Sequence, residues 1–295
     1  MNAPNSIRFG LRLAHAQLVM PDSLTWFITG CSSGFGRALA EAALAAGHRI
    51  IATARDVRSI ADLEKAGVCR VAALDVTDAA NVREVIAEAG AFDVLVNNAG
   101  SGLIGAVEEC SDDQIRQNFE TNFFGPLNVI RAALPMLRAQ KHGHIIHFSA
   151  AAAISNYPGF GVYGGAKAAM EFLGESLRQE LAPHGIRVTL VQPGPFRTDF
   201  ISRNVEKAST HLADYDATSG KFGRLIASMD GRQPGDPARA AQALLQLVAA
   251  ENPPLRLVLG KYAHDKARRR AADLEKERAA WESLGLATEF TSASA

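Results

Sequence analysis

The sequence predicts an α/β fold: a single doubly wound parallel sheet of about seven strands with helices on both faces. Three observations predict it. Short apolar, β-prone runs alternate with longer helical stretches, which favours parallel strands joined by crossover helices. The first run, Leu24–Ile28, is followed directly by a glycine-rich turn and an alanine-rich helical stretch from Arg37 to Ala46. The length of 295 residues suits one such domain with a short appendage.

Each predicted strand is an apolar, β-prone run, as expected for strands that are buried on both faces. The seven candidates are Leu24–Ile28, Arg49–Thr53, Arg70–Leu74, Phe92–Val96, His144–Phe148, Arg187–Val191 and Leu255–Leu259. Helical stretches lie between them, the longest over Asp112–Gln140 and about Phe160–Ala182. Ligands of open α/β sheets bind beyond the carboxyl ends of the strands, so polar motifs at those ends should gather on one rim.

The glycine-rich turn follows a strand and opens a helix, which is the context of a phosphate-binding turn. Gly30 permits a tight turn, while Gly34 and Gly36 let the backbone approach a pyrophosphate at the helix N-terminus. Free N–H groups and the helix dipole favour anions there. The spacing Thr-Gly-x-x-x-Gly-x-Gly differs from the G-x-G-x-x-G of other dinucleotide folds. The candidate binding residues of the turn are Gly30, Ser32, Ser33, Gly34, Phe35 and Gly36.

Tyr163 and Lys167 lie one helical turn apart in the predicted helix that begins near Phe160. The i, i+4 spacing puts both side chains on one helix face. A tyrosine hydroxyl can protonate a carbonyl oxygen, and a nearby ammonium lowers its ordinary pKa of about 10 by stabilising tyrosinate. Together with a dinucleotide, the pair predicts hydride transfer between a carbonyl compound and an alcohol, with Tyr163 as general acid and base.

Six short motifs occur in the order typical of one family, and on them the chain resembles the short-chain dehydrogenase/reductase family. They are Thr29-Gly-x-x-x-Gly-x-Gly36, Leu74-Asp75-Val76, Asn97-Asn98-Ala99-Gly100, Asn122-Phe-Phe-Gly125, Tyr163-x-x-x-Lys167, and Pro193-Gly194 with Thr198. They cover about residues 23–200. A weaker likeness, in residues 30–34 and 52–55, is to members of the 17β-hydroxysteroid dehydrogenase type, which act on steroids and other apolar carbonyls.

The resemblance implies a Rossmann-type fold and a role for each motif. Asp75 and Val76 would contact adenine, and Asn98, with Ala99 and Gly100, would line the adenosine side. Thr198, after Pro193 and Gly194, would hold the carboxamide. Lys167 would also bond the nicotinamide ribose, and Asn122 would hold a water that links the site to solvent. The resemblance further implies a homodimer or homotetramer that assembles through the two longest helices.

The end of the second strand predicts NADP(H) as the cofactor. An acidic residue there would accept hydrogen bonds from a ribose 2′-OH, and a basic one favours a 2′-phosphate. Ala54 occupies the acidic position and Arg55 follows it. Ser32 and Ser33 offer additional hydroxyl donors to the same phosphate.

The family's catalytic serine lies thirteen residues before the tyrosine, and here that position is Ala150. Ser149 is adjacent, but neighbouring side chains of a strand point to opposite faces. It would serve only if the strand end bulges or shifts register. Three hypotheses remain open: an inactivated Ser→Ala form, an enzyme that uses Ser149 or another donor, and an NADP(H)-binding sensor with little turnover.

The composition of the sequence excludes several classes of binding partner. Acidic and basic residues balance at 31 each, which implies no nucleic-acid partner. Three scattered cysteines favour reduced thiols and a cytoplasmic location. No apolar run reaches transmembrane length, so no membrane partner is expected. His142, His144 and His147 lack metal-ligand spacing, and we expect no metal.

Three regions are predicted: an N-terminal extension over 1–22, a dinucleotide-binding and catalytic domain over 23–260, and a C-terminal helix and tail over 261–295. Within the domain, 196–237 is rich in glycine and proline and less periodic, which predicts a substrate lid. The expected pocket lies between 101–106, 150–160 and this lid, and takes a small apolar carbonyl or alcohol substrate. Its expected apolar residues are Ile104, Tyr157, Phe160, Phe196 and Phe200.

Overall fold

The computed structural model describes residues 23–64 and 68–290, so the predicted extension and the last five residues of the predicted tail lie outside the described residues. The strands are β1 Thr25–Ile28, β2 Arg49–Ala54, β3 Cys69–Ala73, β4 Val94–Asn97, β5 Gly102–Ile104, β6 Gly143–Phe148, β7 Ile186–Pro193, β8 Val205–Lys207 and β9 Arg256–Leu259. The α-helices are α1 Gly34–Ala45, α2 Ala61–Glu64, α3 Ala79–Ala89, α4 Asp112–Phe119, α5 Gly125–Gln140, α6 Ala151–Ile154, α7 Gly161–Leu181, α8 Phe200–Arg203, α9 Lys221–Ser228, α10 Pro237–Ala249 and α11 Lys261–Leu286.

A seven-stranded parallel sheet forms the centre of the fold, in the order β3-β2-β1-β4-β6-β7-β9. All seven strand predictions and the Rossmann-type α/β class are confirmed, with strand ends within two residues of the predicted ones. The strand order reverses between β1 and β4, which makes this point the topological switch where such sheets bind ligands. The glycine turn follows β1 and the Asn98 segment follows β4, so both motifs meet there.

Helices cover both faces of the sheet, which is why the strands are almost continuously apolar. On one face, Trp26 and Ile28 of β1 pack in a core with residues of α1 and α10. On the other face, Phe27 packs in a core with residues of α3, α5 and α7. The alternation along β1 therefore divides one strand between two cores, and the rigid sheet between them fixes the rim that carries the motifs.

The predicted helix over Asp112–Gln140 is interrupted in its middle by one π-helical turn, Glu120–Phe124. Pro126 lacks the N–H that a regular α-helix would direct to the carbonyl of Asn122, so the hydrogen-bond ladder is broken at this point. The Gly125 N–H bonds instead to the Glu120 carbonyl, five residues back. Such turns are often found at functional sites, and this one places the side chain of Asn122 in the interior, with no exposed surface.

The predicted lid region, 196–237, forms a small substructure of its own. Its strand β8 pairs in parallel with β5, which lies directly after Ser101. A bridge between Phe196 and Gly235 joins the two ends of the region. Its helix α9 has no fully buried residue. This region is therefore attached to the rest of the domain through β8 and closed at its base by the bridge, and its helix lies against the cavity described below.

The C-terminal helix α11 contacts the body of the protein through its first turns. Ala263 and Lys266 are buried, whereas residues 271–290 are exposed throughout. Among the helices of the described part of the chain, none combines the length and the apolar composition needed to cross a bilayer.

Candidate active site

The glycine turn is held in place by Asn98. Its Nδ2 donates to the carbonyl oxygens of Thr29 (2.9 Å) and Gly30 (3.0 Å). In return, the Thr29 hydroxyl accepts from the backbone N–H groups of Asn98 and Ala99, both at 3.0 Å. Gly30 has a φ of +73° and Gly34 one of +59°, a backbone conformation that glycine adopts without strain. The adjoining loops after β1 and β4 thus stabilise each other.

The N-terminus of α1 offers a cradle that fits a pyrophosphate. Ser33 is the N-cap residue, and its side chain makes no capping hydrogen bond. The unpaired N–H groups of the first helical turn therefore remain available to an anion. The cavity wall here is formed by Gly30, Ser32, Ser33, Gly34 and Phe35. Gly36 does not line the cavity; it lies behind the turn, where a side chain would collide with Asn98.

Arg55 lies at the end of β2, on the wall of the cavity, and has no ion pair among the described residues. Its basic neighbours are engaged elsewhere. Arg37 pairs with Glu41 and Asp62, and Arg58 pairs with Asp56 at 2.9 Å. Among these three arginines, Arg55 is therefore the one whose guanidinium is free to bind a phosphate where β2 ends at the cavity.

The predicted adenine contacts also line the cavity. The Asp75 carboxylate accepts from the backbone N–H (2.9 Å) and the hydroxyl (2.7 Å) of Thr77, which holds it in one orientation. Val76 is buried, and a Cβ at Gly125 would lie 2.7 Å from its side chain, so the π-helical turn and this segment are in direct contact. Pro193, Gly194 and Thr198, which follow β7, also lie on the cavity wall, and their role toward the nicotinamide stays a prediction.

Tyr163 and Lys167 lie on the same face of α7, both buried, and both border the cavity. The Lys167 Nζ donates to the Phe148 carbonyl at 2.9 Å. Burial lowers the pKa of Lys167 to about 8 and raises that of Tyr163. The sequence-based expectation of a lowered tyrosine pKa is therefore wrong for the protein alone, because desolvation outweighs an ammonium that is directed to Phe148. The tyrosine is a neutral phenol, the form that can donate a proton.

Asn122 joins the π-helical turn between α4 and α5 to the loop after β4. Its Nδ2 donates to the carbonyls of Ser101 (2.8 Å) and Asn118 (2.9 Å), and its Oδ1 accepts from the Ser101 N–H at 3.3 Å. A Cβ at Gly100 would lie 2.9 Å from the Asn122 Oδ1 and 3.3 Å from the Lys167 Nζ. Gly100 thus lets these two side chains converge on the backbone at the nicotinamide side.

Ala150 occupies the place where a hydroxyl is expected. The Ser149 N–H donates to the Val191 carbonyl at 2.8 Å, so pairing with β7 continues past Phe148 without a bulge. Ala150 then packs in a buried cluster with Phe160 and Tyr163. Ser149 also borders the cavity, is 4% exposed, and has an Oγ with no hydrogen-bond partner among the described residues.

One cavity of about 570 Å³ connects the glycine turn to the lid. Tyr157, Phe160, Phe196 and Phe200 lie on its wall as predicted. Ile104 does not; it is part of the buried cluster behind the wall, because β5 is paired with β8. The apolar face of α9 and the residue directly after it contribute side chains that were not predicted: Phe222, Leu225, Ile226 and Met229. Their helical spacing in an otherwise polar stretch is the signal that would have identified them.

The histidines singled out in the sequence have structural partners or are buried. His142 contacts Asp93 at 3.0 Å, which raises its pKa, and His144 contacts the Thr189 hydroxyl at 2.9 Å. Within 23–64 and 68–290, no three His, Cys, Asp or Glu side chains come together in a way that could hold a metal ion.

A parallel sheet with a phosphate cradle at its switch point and a tyrosine–lysine pair beside it defines a dinucleotide-binding oxidoreductase. The family model of the short chain dehydrogenases matches residues 25–209. The chain belongs to the short chain dehydrogenase family.

Two curated relatives are similar over most of their length. Oxidoreductase BOA17 of Botryotinia fuckeliana is 37% identical over 270 residues, which cover 89% of this chain and 98% of that protein. A 3-ketodihydrosphingosine reductase of Bacteroides thetaiotaomicron is 36% identical over 238 residues, covering 79% and 86%.

Solved structures share the fold. A short-chain dehydrogenase from Streptomyces avermitilis has a TM-score of 0.85 and 38% identity, covering 91% of this chain and all of that one. A short chain dehydrogenase from Burkholderia cenocepacia, solved in complex with NADP, has a TM-score of 0.70 and 27% identity, covering 87% and 96%. The likeness to 17β-hydroxysteroid dehydrogenases in particular stays a prediction.

Proposed function

We propose that the protein is an NADP(H)-dependent oxidoreductase that interconverts an apolar ketone or aldehyde and the corresponding alcohol. The observation that carries the proposal is the position of Tyr163 and Lys167, which border one continuous cavity between a pyrophosphate cradle and an apolar lid. Hydride transfer and proton transfer must occur at neighbouring atoms, and this arrangement brings both within reach of one substrate carbonyl.

Each residue of the site has a distinct task in the proposed reaction. When bound, the nicotinamide supplies the hydride. Tyr163 donates its proton to the carbonyl oxygen, and in the reverse direction accepts it from the alcohol. Lys167 holds the ribose and stabilises the tyrosinate that forms. Asn122 fixes the backbone at Ser101, and we propose that it also retains the water through which the proton is replaced from solvent.

The preference for NADP(H) rests on Arg55. It borders the adenosine end of the cavity without an acidic partner, and Ser32 and Ser33 lie on the same wall. A guanidinium binds a phosphate through charge-assisted hydrogen bonds. Its hydrogen bonds to an uncharged 2′-hydroxyl are weaker. The Burkholderia cenocepacia structure with NADP is consistent with this preference.

The proposal that the substrate is apolar is based on the residues of the lid. Phe200, Phe222, Ile226 and Met229 face the cavity, and their surface becomes fully buried only when an apolar molecule covers it. The name of the Bacteroides thetaiotaomicron relative, a reductase of a 3-keto compound, supports a ketone as the reacting group.

A second function is favoured by Ala150. With a methyl group beside Tyr163, the substrate oxygen lacks one hydrogen-bond donor, and losing such a donor typically costs about 10²–10³ in rate. A protein that binds NADPH but turns over slowly would act as a sensor of the nucleotide. The two functions differ in whether restoring a serine restores turnover.

We further propose a cytoplasmic homodimer or homotetramer. Phe172 on α7 is 69% exposed, and Phe124, next to α5, is 43% exposed, which supports association through α5 and α7, the helices of the two predicted stretches. All three cysteines are free thiols, as the reducing cytoplasm maintains. Light scattering of the purified protein and of Phe172→Ser tests the assembly: we expect a dimer or tetramer that the substitution dissociates, and a wild-type monomer would contradict it.

NADPH consumption with a panel of apolar ketones and aldehydes tests the proposed reaction, with Tyr163→Phe as the matched variant. We expect turnover that Tyr163→Phe abolishes while NADPH affinity, measured by fluorescence, is retained. Turnover that survives the substitution would contradict the role of Tyr163. Tight NADPH binding without turnover in any variant would favour the sensor.

A further inference from the structure

The ring of Tyr157 is held from both faces. On one side, the Nζ of Lys266 lies 3.2 Å from the ring centroid. On the other, the ring of Phe222 is stacked on it, with centroids 5.0 Å apart and planes inclined by 13°. A ring stacked so closely leaves no room for an ammonium on the same face, so the two groups take opposite faces. We call this arrangement the Lys266–Tyr157–Phe222 sandwich.

The three members of the sandwich belong to three different parts of the fold. Lys266 is on the C-terminal helix α11, Phe222 is on the lid helix α9, and Tyr157 is in the loop between α6 and α7. The Tyr157 hydroxyl also donates to that of Tyr262, at 3.1 Å, which is a second link to α11. The sandwich therefore connects the C-terminal helix to the lid through one residue.

Lys266 has no other partner that would explain its burial. It is 7% exposed and has no ion pair or hydrogen bond among the described residues. Burying an ammonium without a carboxylate is unfavourable, and the face of an aromatic ring is the group that offsets it here. Burial, together with the nearby Arg269, lowers the pKa of Lys266 to about 8, so it is mostly charged near neutrality.

The lid helix α9 is attached to the catalytic side through few side chains. None of its residues is fully buried, and Phe222 and Ile226 are the ones that pack against the buried cluster around Phe160 and Tyr163. Phe222 meets Tyr157 and, edge to face, Phe160 at 5.0 Å. Phe160 in turn contacts the ring of Tyr163 at 5.0 Å. A displaced Tyr157 would therefore loosen the lid over the catalytic tyrosine.

We propose that Lys266 is a positioning residue for the substrate: from the C-terminal helix it holds Tyr157 against Phe222 and so keeps the lid closed over the cavity. It does not touch the reacting atoms. The expected effect on KM rests on the proposed function. The expected effect on the stability of the closed lid does not depend on any reaction.

The test compares Lys266→Met with Lys276→Met. Lys276 is an exposed residue of the same helix, so each variant loses one lysine, and one tryptic site, from α11. The first readout is the rate of limited trypsin cleavage in the lid, at Lys221, Arg224 and Arg232. The second is KM and kcat for an apolar ketone, together with NADPH affinity.

For Lys266→Met we expect several-fold faster cleavage of the lid and a KM raised roughly threefold to thirtyfold, with kcat and NADPH affinity within about twofold of wild type. Lys276→Met should match wild type. Lys266→Arg, which retains a cation over the ring, should match wild type in both readouts. A merely space-filling role predicts no loss in Lys266→Met, because methionine fills similar space without the charge.

Equal cleavage and KM in Lys266→Met and Lys276→Met would overturn the proposal. If Lys266→Met does not fold, Phe222→Leu breaks the sandwich from the lid side, and it must then open the lid to trypsin while Lys266→Arg stays closed. If no ketone is turned over, the proposed function fails. The cleavage rates alone then test whether Lys266 keeps the lid closed.

Discussion

Gly36 and Asn98 compete for one space: a Cβ on Gly36 would lie 2.4 Å from the Asn98 Nδ2 and 2.4 Å from the Gly30 carbonyl oxygen. Real Cβ atoms do not come so close, and neither neighbour can retreat. The Asn98 amide is committed to the carbonyls of Thr29 and Gly30, and the Gly30 oxygen belongs to the turn itself. The shape of the cofactor cradle therefore depends on a hydrogen atom at position 36.

Gly36→Ala is expected to weaken NADPH binding at least about tenfold, because the methyl group must push Asn98 or the turn out of position. Titration of NADPH fluorescence measures it. Gly285→Ala is the control: it lies in α11 with nothing within 4 Å of a Cβ, so it should leave binding unchanged. Wild-type affinity in Gly36→Ala would show that the cradle adapts.

Arg55→Ala is expected to weaken NADPH binding about 10- to 100-fold, since a charge-assisted bond to a 2′-phosphate would be lost, and to leave NADH binding nearly unchanged. Arg58→Ala removes a nearby guanidinium that is already paired with Asp56 and should change neither. Equal losses for both nucleotides, or none, would remove Arg55 from cofactor selection.

Ala150→Ser is expected to raise kcat/KM about 10²- to 10³-fold, because the new hydroxyl would lie beside Tyr163 at the cavity wall. Steady-state assays of Ala150→Ser, Ser149→Ala and wild type separate the hypotheses. If Ser149 already serves, Ser149→Ala loses activity and Ala150→Ser gains little. A large gain in Ala150→Ser, with Ser149→Ala equal to wild type, identifies the methyl group as the defect.

Lys167→Met is expected to abolish turnover and yet stabilise the protein at pH 7, by about 1–3 kcal/mol in the free energy of unfolding. The pKa of Lys167 is lowered in the folded state to about 8, so burying the charged form is unfavourable below that pH. Between about 8 and the higher pKa of the unfolded chain, the unfolded state binds more protons, and wild-type stability rises with pH.

The advantage of Lys167→Met should therefore shrink as the pH is raised from 8 to about 10.5 and vanish above it. Urea unfolding of both proteins at several pH values measures this, and other titrating groups cancel in the difference. A variant less stable than wild type at pH 7 would mean that the bond from Lys167 to the Phe148 carbonyl outweighs desolvation.

The central sheet could be predicted from the sequence because its strands are buried on both faces and appear as continuous apolar runs. The short strands β5 and β8 could not be predicted in this way. Each has three residues, and β8 is Val205-Glu206-Lys207, with two charged side chains exposed at a sheet edge. Their pairing is a tertiary event between segments about 100 residues apart, which no local pattern encodes.

The site was predictable where function depends on spacing along the chain, as for Tyr163 and Lys167 on one helix. It was less so where a residue acts through the fold. Asn98 was expected beside adenosine and does line the cavity, but the hydrogen bonds from its amide to the glycine turn were not predicted. Ile104 was expected on the cavity wall and lies behind it. Lys266 carried no signal, because a lysine in a charged helix is ordinarily solvated.

The pairing of β5 with β8 links the loop after β4 to the region 196–237. β5 begins directly after Gly100 and Ser101, and the Gly102 N–H donates to the Asn204 carbonyl of the lid at 2.7 Å. We therefore expect a nucleotide bound against Gly100 to restrain the strand edge with which the region 196–237 is paired. In the proposed reaction, nucleotide binding would thereby order one wall of the compartment that the carbonyl compound enters.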